Sequence, residues 1–131
     1  MENKSNDATP QRPGGSRMLD AELVHLDVPA FIEKVKAEST WRDSDRNSMT
    51  IFKSDTLRVV LLGLHKDAEL KPHQANGVIT VQAIEGTISF STENATHTLN
   101  PGQMIALHEK ITHSVTAITD AFFLLTLAPT K

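Results

Sequence analysis

Six histidines and no cysteine set the chemistry open to this sequence. Without a thiol there is no disulfide, no thiolate metal ligand and no cysteine nucleophile, so metal or acid–base chemistry falls to imidazoles and carboxylates. His73 stands out, because it opens the stretch LKPHQANGVITVQAIEG (70–86), which has the rhythm of strand, turn and strand. An imidazole there suits a metal, but one is not enough. Catalytic zinc takes three protein ligands, and non-haem iron takes two histidines and a carboxylate.

The remaining candidates are weaker. His97, in THTL, reads as an exposed strand residue, while His25 precedes a helical segment and His65 ends a strand, each without an identifiable partner. Glu93, Glu109 and Asp120 fall in turns and read as solvated carboxylates. The mixed charges of WRDSDRNS (41–48) read as surface pairing rather than a catalytic acid pair. Neither a Ser-His-Asp order nor a Gly-rich phosphate cradle is present in the sequence.

Several elements must position these residues. Residues 1–18 are polar and rich in Asn, Pro, Gly and Ser, which predicts a disordered tail ahead of a single domain over 19–131. LDVPAFIEKVKAEST predicts a helical arm over about 28–39. Asp27 is its N-cap, Pro29 lies in the first turn, and Val28, Phe31, Ile32 and Val35 form one apolar stripe. The stripe predicts an arm packed on the main body, with a partner subunit as the alternative surface, and Trp41 is expected to pin the segment that follows.

From about 49 to 128 the sequence reads as eight short strands: MTIF, TLRVVLLGL, VITVQAI, TISFST, THTL, MIAL, HSVTAI and AFFLLTLA. Turn residues separate them. Such spacing without intervening helices predicts an all-β sandwich or barrel.

The formal net charge is −3 and no Lys/Arg stripe forms, which argues against nucleic acid and anionic membrane as partners. The apolar runs VVLLGL and AFFLLTLA are too short to span a bilayer, and the N-terminus lacks a secretory h-region, so the expected location is cytoplasmic.

This arrangement resembles the cupin superfamily, the jelly-roll (double-stranded β-helix) barrels, and in particular its small single-domain members with a helical N-terminal arm. A cupin's first motif carries Gly, then His-x-His, then Glu, then Gly. Counting back from Gly86 puts Ile79 at the glutamate position, Ala75 at the second histidine, His73 at the first and Asp67 at the leading glycine. In the second motif HEKITH puts His108 at the proline, Lys110 at the glycine and His113 at the histidine, with Ala117 at the asparagine. The resemblance implies four metal-ligand positions, of which His73 and His113 fill two.

Strand alternation puts His73 with Ala75, puts Ile79 with Val81 and Ala83, and puts His113 with Val115 and Ala117. If those faces turn inward, a largely apolar barrel cavity holds two imidazoles. The expected function is then binding of a small, partly apolar molecule, with His73, Gln82, His113, Ala75, Ile79 and Val81 as ligand-binding residues. Gln82 reaches that face only if a bulge near Asn76-Gly77 changes the parity. The alternative is a metal-dependent enzyme of oxygenase or isomerase type. In it His73 and His113 hold a divalent metal (Fe, Zn, Mn or Ni), completed by Gln82, Glu69, His65, His108 or the substrate. A homodimer is expected as well, through the outward side of VITVQAI and the arm.

Overall fold

The computed structural model describes residues 19–130, which form two short helices and nine strands. The tail read over 1–18 lies outside the described residues. The strands are β1 (Arg46–Lys53), β2 (Arg58–Leu64), β3 (Glu69–His73), β4 (Gly77–Glu85), β5 (Ile88–Thr92), β6 (Thr96–Leu99), β7 (Met104–Leu107), β8 (His113–Ala117) and β9 (Ala121–Pro129). They pair antiparallel in two sheets, of order β1-β2-β9-β4-β7 and β3-β8-β5-β6. The barrel therefore begins three residues earlier than the sequence suggests and contains one strand more, β3, which is short and mostly exposed.

Alternation explains both faces of each sheet. In β4, Gly77, Ile79, Val81 and Ala83 are buried, while Val78, Thr80, Gln82 and Ile84 turn outward. In β8, His113, Val115 and Ala117 are buried between Ser114 and Thr116. The inner faces meet in one core that includes Leu64, Ile79, Val81, Ile88, Phe90, Val115 and Phe123. Outside the smaller sheet the same period yields a hydroxyl face: Ser89 and Ser91 on β5 lie opposite Thr98 and Thr96 on β6 and opposite Thr116 and Ser114 on β8.

The arm packs on its own barrel. Helix α1 (Val28–Ala37) starts where Asp27 accepts a hydrogen bond from the Ala30 N–H at 3.2 Å. Its buried Ile32 and Val35 lie against Met49, Ile51, Leu61 and Phe122 on the outer face of the larger sheet. It ends two residues short of the expected 39. Glu38 turns extended there, and the chain restarts as the five-residue α2 (Ser39–Asp43). Buried Asn47 ties this break to β1 by donating to the Val35 carbonyl at 3.2 Å and to Glu38 Oε1 at 2.9 Å. Trp41 pins the segment as expected, stacking on His65 with ring centroids 3.6 Å apart and tilting against Phe122 at 4.9 Å.

One glycine is dictated by the turn. Gly86 sits at φ 73°, and a Cβ there would run into the Asp120 carbonyl. The Glu85-Gly86 turn signal thus marks where the β4–β5 connection crosses the β8–β9 turn.

Candidate functional site

A register irregularity aims His73. On the paired strands Leu70 lies opposite Val115 and His73 opposite His113, so β3 advances three residues while β8 advances two. The extra residue is a bulge at Lys71-Pro72. It puts Leu70 and His73 on the same, inward side of a strand in which regular alternation would oppose them. Pro72 is tolerated because β3 is an edge of the smaller sheet, where a missing N–H breaks no inner ladder. It lies ahead of Asn76-Gly77, where a bulge would have been needed to turn Gln82 inward.

The consequence is a pair of imidazoles. The His73 and His113 rings have centroids 4.4 Å apart at an interplanar angle of 59°. His73 is exposed, whereas His113 is only 3% exposed and stacks on Phe90 at 5.5 Å. Each ring is held the same way: His73 Nδ1 donates to the Lys71 carbonyl at 2.7 Å and His113 Nδ1 donates to the Ile111 carbonyl at 2.9 Å. In the neutral form of each ring the proton then sits on Nδ1 and Nε2 carries the lone pair. Burial pushes the His113 pKa below its ordinary value, the hydrogen bond to Ile111 opposes this, and the His73 charge adds to the lowering. The buried ring is therefore kept neutral.

The other predicted members do not join the pair. Gln82 lies on the outer face of β4, its amide 3.4 Å from the Gly102 carbonyl. The reason is that β4 runs regularly from Gly77 to Ala83, so nothing reverses its parity. Ile79 and Val81 face inward as expected but are closed into the core, at 1% and 0% exposure, and Ala75 packs at its margin. His65 is engaged elsewhere: its Nε2 donates to the Trp41 carbonyl at 2.7 Å and its Nδ1 lies 3.4 Å from Asp120 Oδ2. The Lys66 N–H, and less strongly His65, hold the Asp120 carboxyl below its usual range. Glu69 is an exposed residue whose carbonyl accepts from Arg46, and His108 is exposed in the turn after β7. Asp45 and Arg46 form the surface pair expected of their segment, at 2.9 Å.

Two hollows open beside β5, and one of them borders His113. One, of about 290 Å³, is bordered by His113, Pro72, Ser91, Thr92 and Thr112. The other, of about 210 Å³, opens between β5–β6 and β7 against Phe90, Thr92, Ala95, His97, Ile105, Ala106 and Leu107. Thr92 is opposite His113 in register and belongs to both. The second hollow brings in His97, whose candidacy the sequence reading passed over. The available signal was its parity with buried Leu99, two residues on in β6.

Solved structures superpose on this arrangement of two antiparallel sheets. A cupin superfamily protein from Desulfitobacterium hafniense superposes with a TM-score of 0.70 at 14% identity, over 86% of this chain and 95% of that one. This is the cupin fold. A conserved protein of unknown function from Streptococcus pyogenes matches at TM-score 0.70 and 20% identity, over 86% of this chain and 96% of its own. An RmlC-like cupin with a double-stranded β-helix fold from Methanocaldococcus jannaschii matches at 0.60 and 15%, over 67% and 84%. No family model and no curated protein sequence matches the chain.

The cupin frame tests the residues against a divalent metal. His73 and His113 supply two neutral nitrogens, while the positions of the other two motif ligands hold Ala75 and Ile79, which have no donor. Among the described residues no group of three His, Asp or Glu converges. The donor set therefore does not fit a divalent ion held by three protein ligands, and no catalytic step is built on one.

Proposed function

We propose that this cupin-fold chain binds a small, partly apolar molecule in the hollow beside Phe90. The observation that carries this reading is the composition of that hollow. Aliphatic and aromatic side chains of Phe90, Ile105 and Leu107 line it, and His97 and Thr92 are its polar groups. A concave apolar site with few polar groups is the usual form of a ligand pocket. At about 210 Å³ it is smaller than drug-sized sites of ~300–1,000 Å³, so the ligand is small. The imidazole and the hydroxyl would orient a hydrogen-bonding substituent at its rim. The metal-dependent enzyme is not favoured, because the third protein donor it needs is not supplied.

The test is ligand-observed NMR with a library of small aromatic and aliphatic fragments. Ala95 is exposed in the β5–β6 turn at the rim, so Ala95→Trp fills the hollow without touching the core. Fragments that bind the parent are expected to lose at least about tenfold in affinity in Ala95→Trp and in His97→Ala. Binding that ignores both substitutions would sink the reading.

The homodimer belongs to the same proposal. Helix α1 covers one half of the outer face of the larger sheet and leaves Val78, at 43% exposure, and Met104, at 52%, uncovered beside the free edge of β7. Apolar surface continuous with an unpaired strand is what a second copy would cover. Light scattering is expected to give twice the chain mass, and Val78→Asp to give the single mass. A single mass for the parent at micromolar concentration would refute it. No helix among the described residues is long and apolar enough to cross a membrane.

A further inference from the structure

The hollow beside Phe90 is one end of a longer groove, and the strand along one wall of that groove is an edge. We propose that its occupant is an extended peptide, held through the free edge of β7 with an uncharged apolar side chain in the hollow. The inference rests on the ligand site proposed above and names the chemical class that the site takes.

Shape gives the first argument. A second hollow, of about 460 Å³, continues the first along the same strands, and His97 and Ile105 border both. Together they follow β7 from Met104 to Leu107, between β6 and β7, each of which lies at the edge of a different sheet. Such a run suits an extended chain better than a compact molecule.

The ladder decides which backbone groups line the groove. The Thr130 N–H donates to the Asn76 carbonyl at 2.8 Å, and the Ala83 N–H donates to the Gln103 carbonyl at 3.0 Å. Bonded pairs alternate along an antiparallel ladder, so the even-numbered residues of β4 bond to β9 and the odd-numbered ones to β7. Ile79 and Val81 thereby take up the backbone groups of Leu107 and Ile105. The N–H and C=O of Met104 and Ala106 then point the other way, off the edge of the sheet. Ala106 borders the hollow although its methyl group stands on the outer face with Thr80, so its backbone is the part that faces the groove.

These groups select a peptide. One residue that presents an N–H and a C=O side by side is the complement of one residue of an antiparallel strand. The residue opposite Ala106 would carry its own side chain outward, and alternation sends the ones before and after it inward, beside Ile105 and Leu107. The lining of both hollows holds no carboxylate, ammonium or guanidinium group, so the inward side chains are uncharged. The edge is also unguarded: β7 reads MIAL, without the lysine, proline or bulge that keeps an edge strand from pairing. The β7 of a second copy does not fit this place, because its Ile105 and Leu107 pack on its own core. Val78 and Met104, where a second copy would sit, carry their side chains on the outer face, at right angles to these backbone groups.

The experiment is a titration of the tag-free full chain with acetyl-leucyl-threonyl-leucinamide, followed by amide NMR, beside the same tripeptide N-methylated at its threonine. Methylation removes the N–H that would meet the Ala106 carbonyl and keeps both leucine side chains. The unmethylated tripeptide is expected to bind at least about tenfold more tightly, and to shift the Ala106 and Met104 amide resonances. Ala106→Pro removes the outward N–H and no bond to β4, and is expected to weaken the unmethylated tripeptide at least about tenfold. If that variant does not fold, the two tripeptides on the parent chain carry the same test. Equal affinity for both, with apolar fragments still bound, overturns the peptide and leaves the hollow a small-molecule site. Loss of tripeptides and fragments alike overturns the hollow itself and the peptide with it. An Ala106 amide already protected from exchange in the free protein would mean that the edge is paired with another copy, and overturns the proposal as well.

Discussion

Phe123→Ala is expected to lower the unfolding free energy by about 3–5 kcal/mol, the largest single-site effect in this barrel. Phe123 is fully buried and sits on β9, opposite Leu62 on β2 and Ala83 on β4, so its ring fills the layer where the two sheets meet. Truncation removes the transfer free energy of the ring and leaves a void that flanking strands, held by ladders on both sides, cannot close. The melting temperature should fall on the order of 15 °C, by scanning calorimetry. Thr98→Ala, on the exposed hydroxyl face, should stay within about 0.5 kcal/mol. A loss at Phe123 below about 1.5 kcal/mol would show that the core relaxes around the gap and is not packed as described.

Deleting Lys71 and Pro72 together should abolish the imidazole pair while leaving the fold in place. The bulge exists because β3 carries one residue more than β8 between the Leu70 and His73 pairings. Deleting Lys71 alone removes that extra residue and leaves Leu70 and His73 two apart, on the same inward face. Deleting both makes them neighbours, and period-two alternation then turns His73 to the solvent side. Since β3 is a short edge strand, the stability cost should be no more than about 2 kcal/mol. Nuclear Overhauser contacts between the His73 and His113 ring protons report the outcome without any ligand: present in the parent and in the single deletion, absent in the double deletion. Ring contacts that survive the double deletion would mean that the pairing is not governed by the residue count of β3.

What was legible in the sequence follows from the range of the interactions involved. The inward face of β4 and that of β8 were readable, because alternation is local and each strand is regular where it matters. The start of α1 was readable from Asp27 and Pro29, but not its end. Glu38 is diverted by a hydrogen bond from Asn47, nine residues on, and no propensity encodes that. Convergence of His73 with His113 was anticipated from motif spacing, but the bulge that aims His73 was not read. A bulge is a relation between two strands, and here the partner strand lies forty residues downstream. The hollow had no local signature, since its walls come from β5, β6, β7 and the turn between the first two. His97 could have been found from its parity with Leu99. Gln82 was assigned inward only on condition of an irregularity that β4 does not contain there.

The position of β9 in the larger sheet has a consequence for how the protein is made. It is the last of the nine strands to leave the ribosome, yet it is hydrogen-bonded between β2 and β4. Until it emerges, β2 and β4 have no common neighbour and each offers an open ladder to whatever strand is nearby. Closure of the sandwich must therefore wait for synthesis to pass Pro129, and the nascent chain is exposed to mispairing up to that moment.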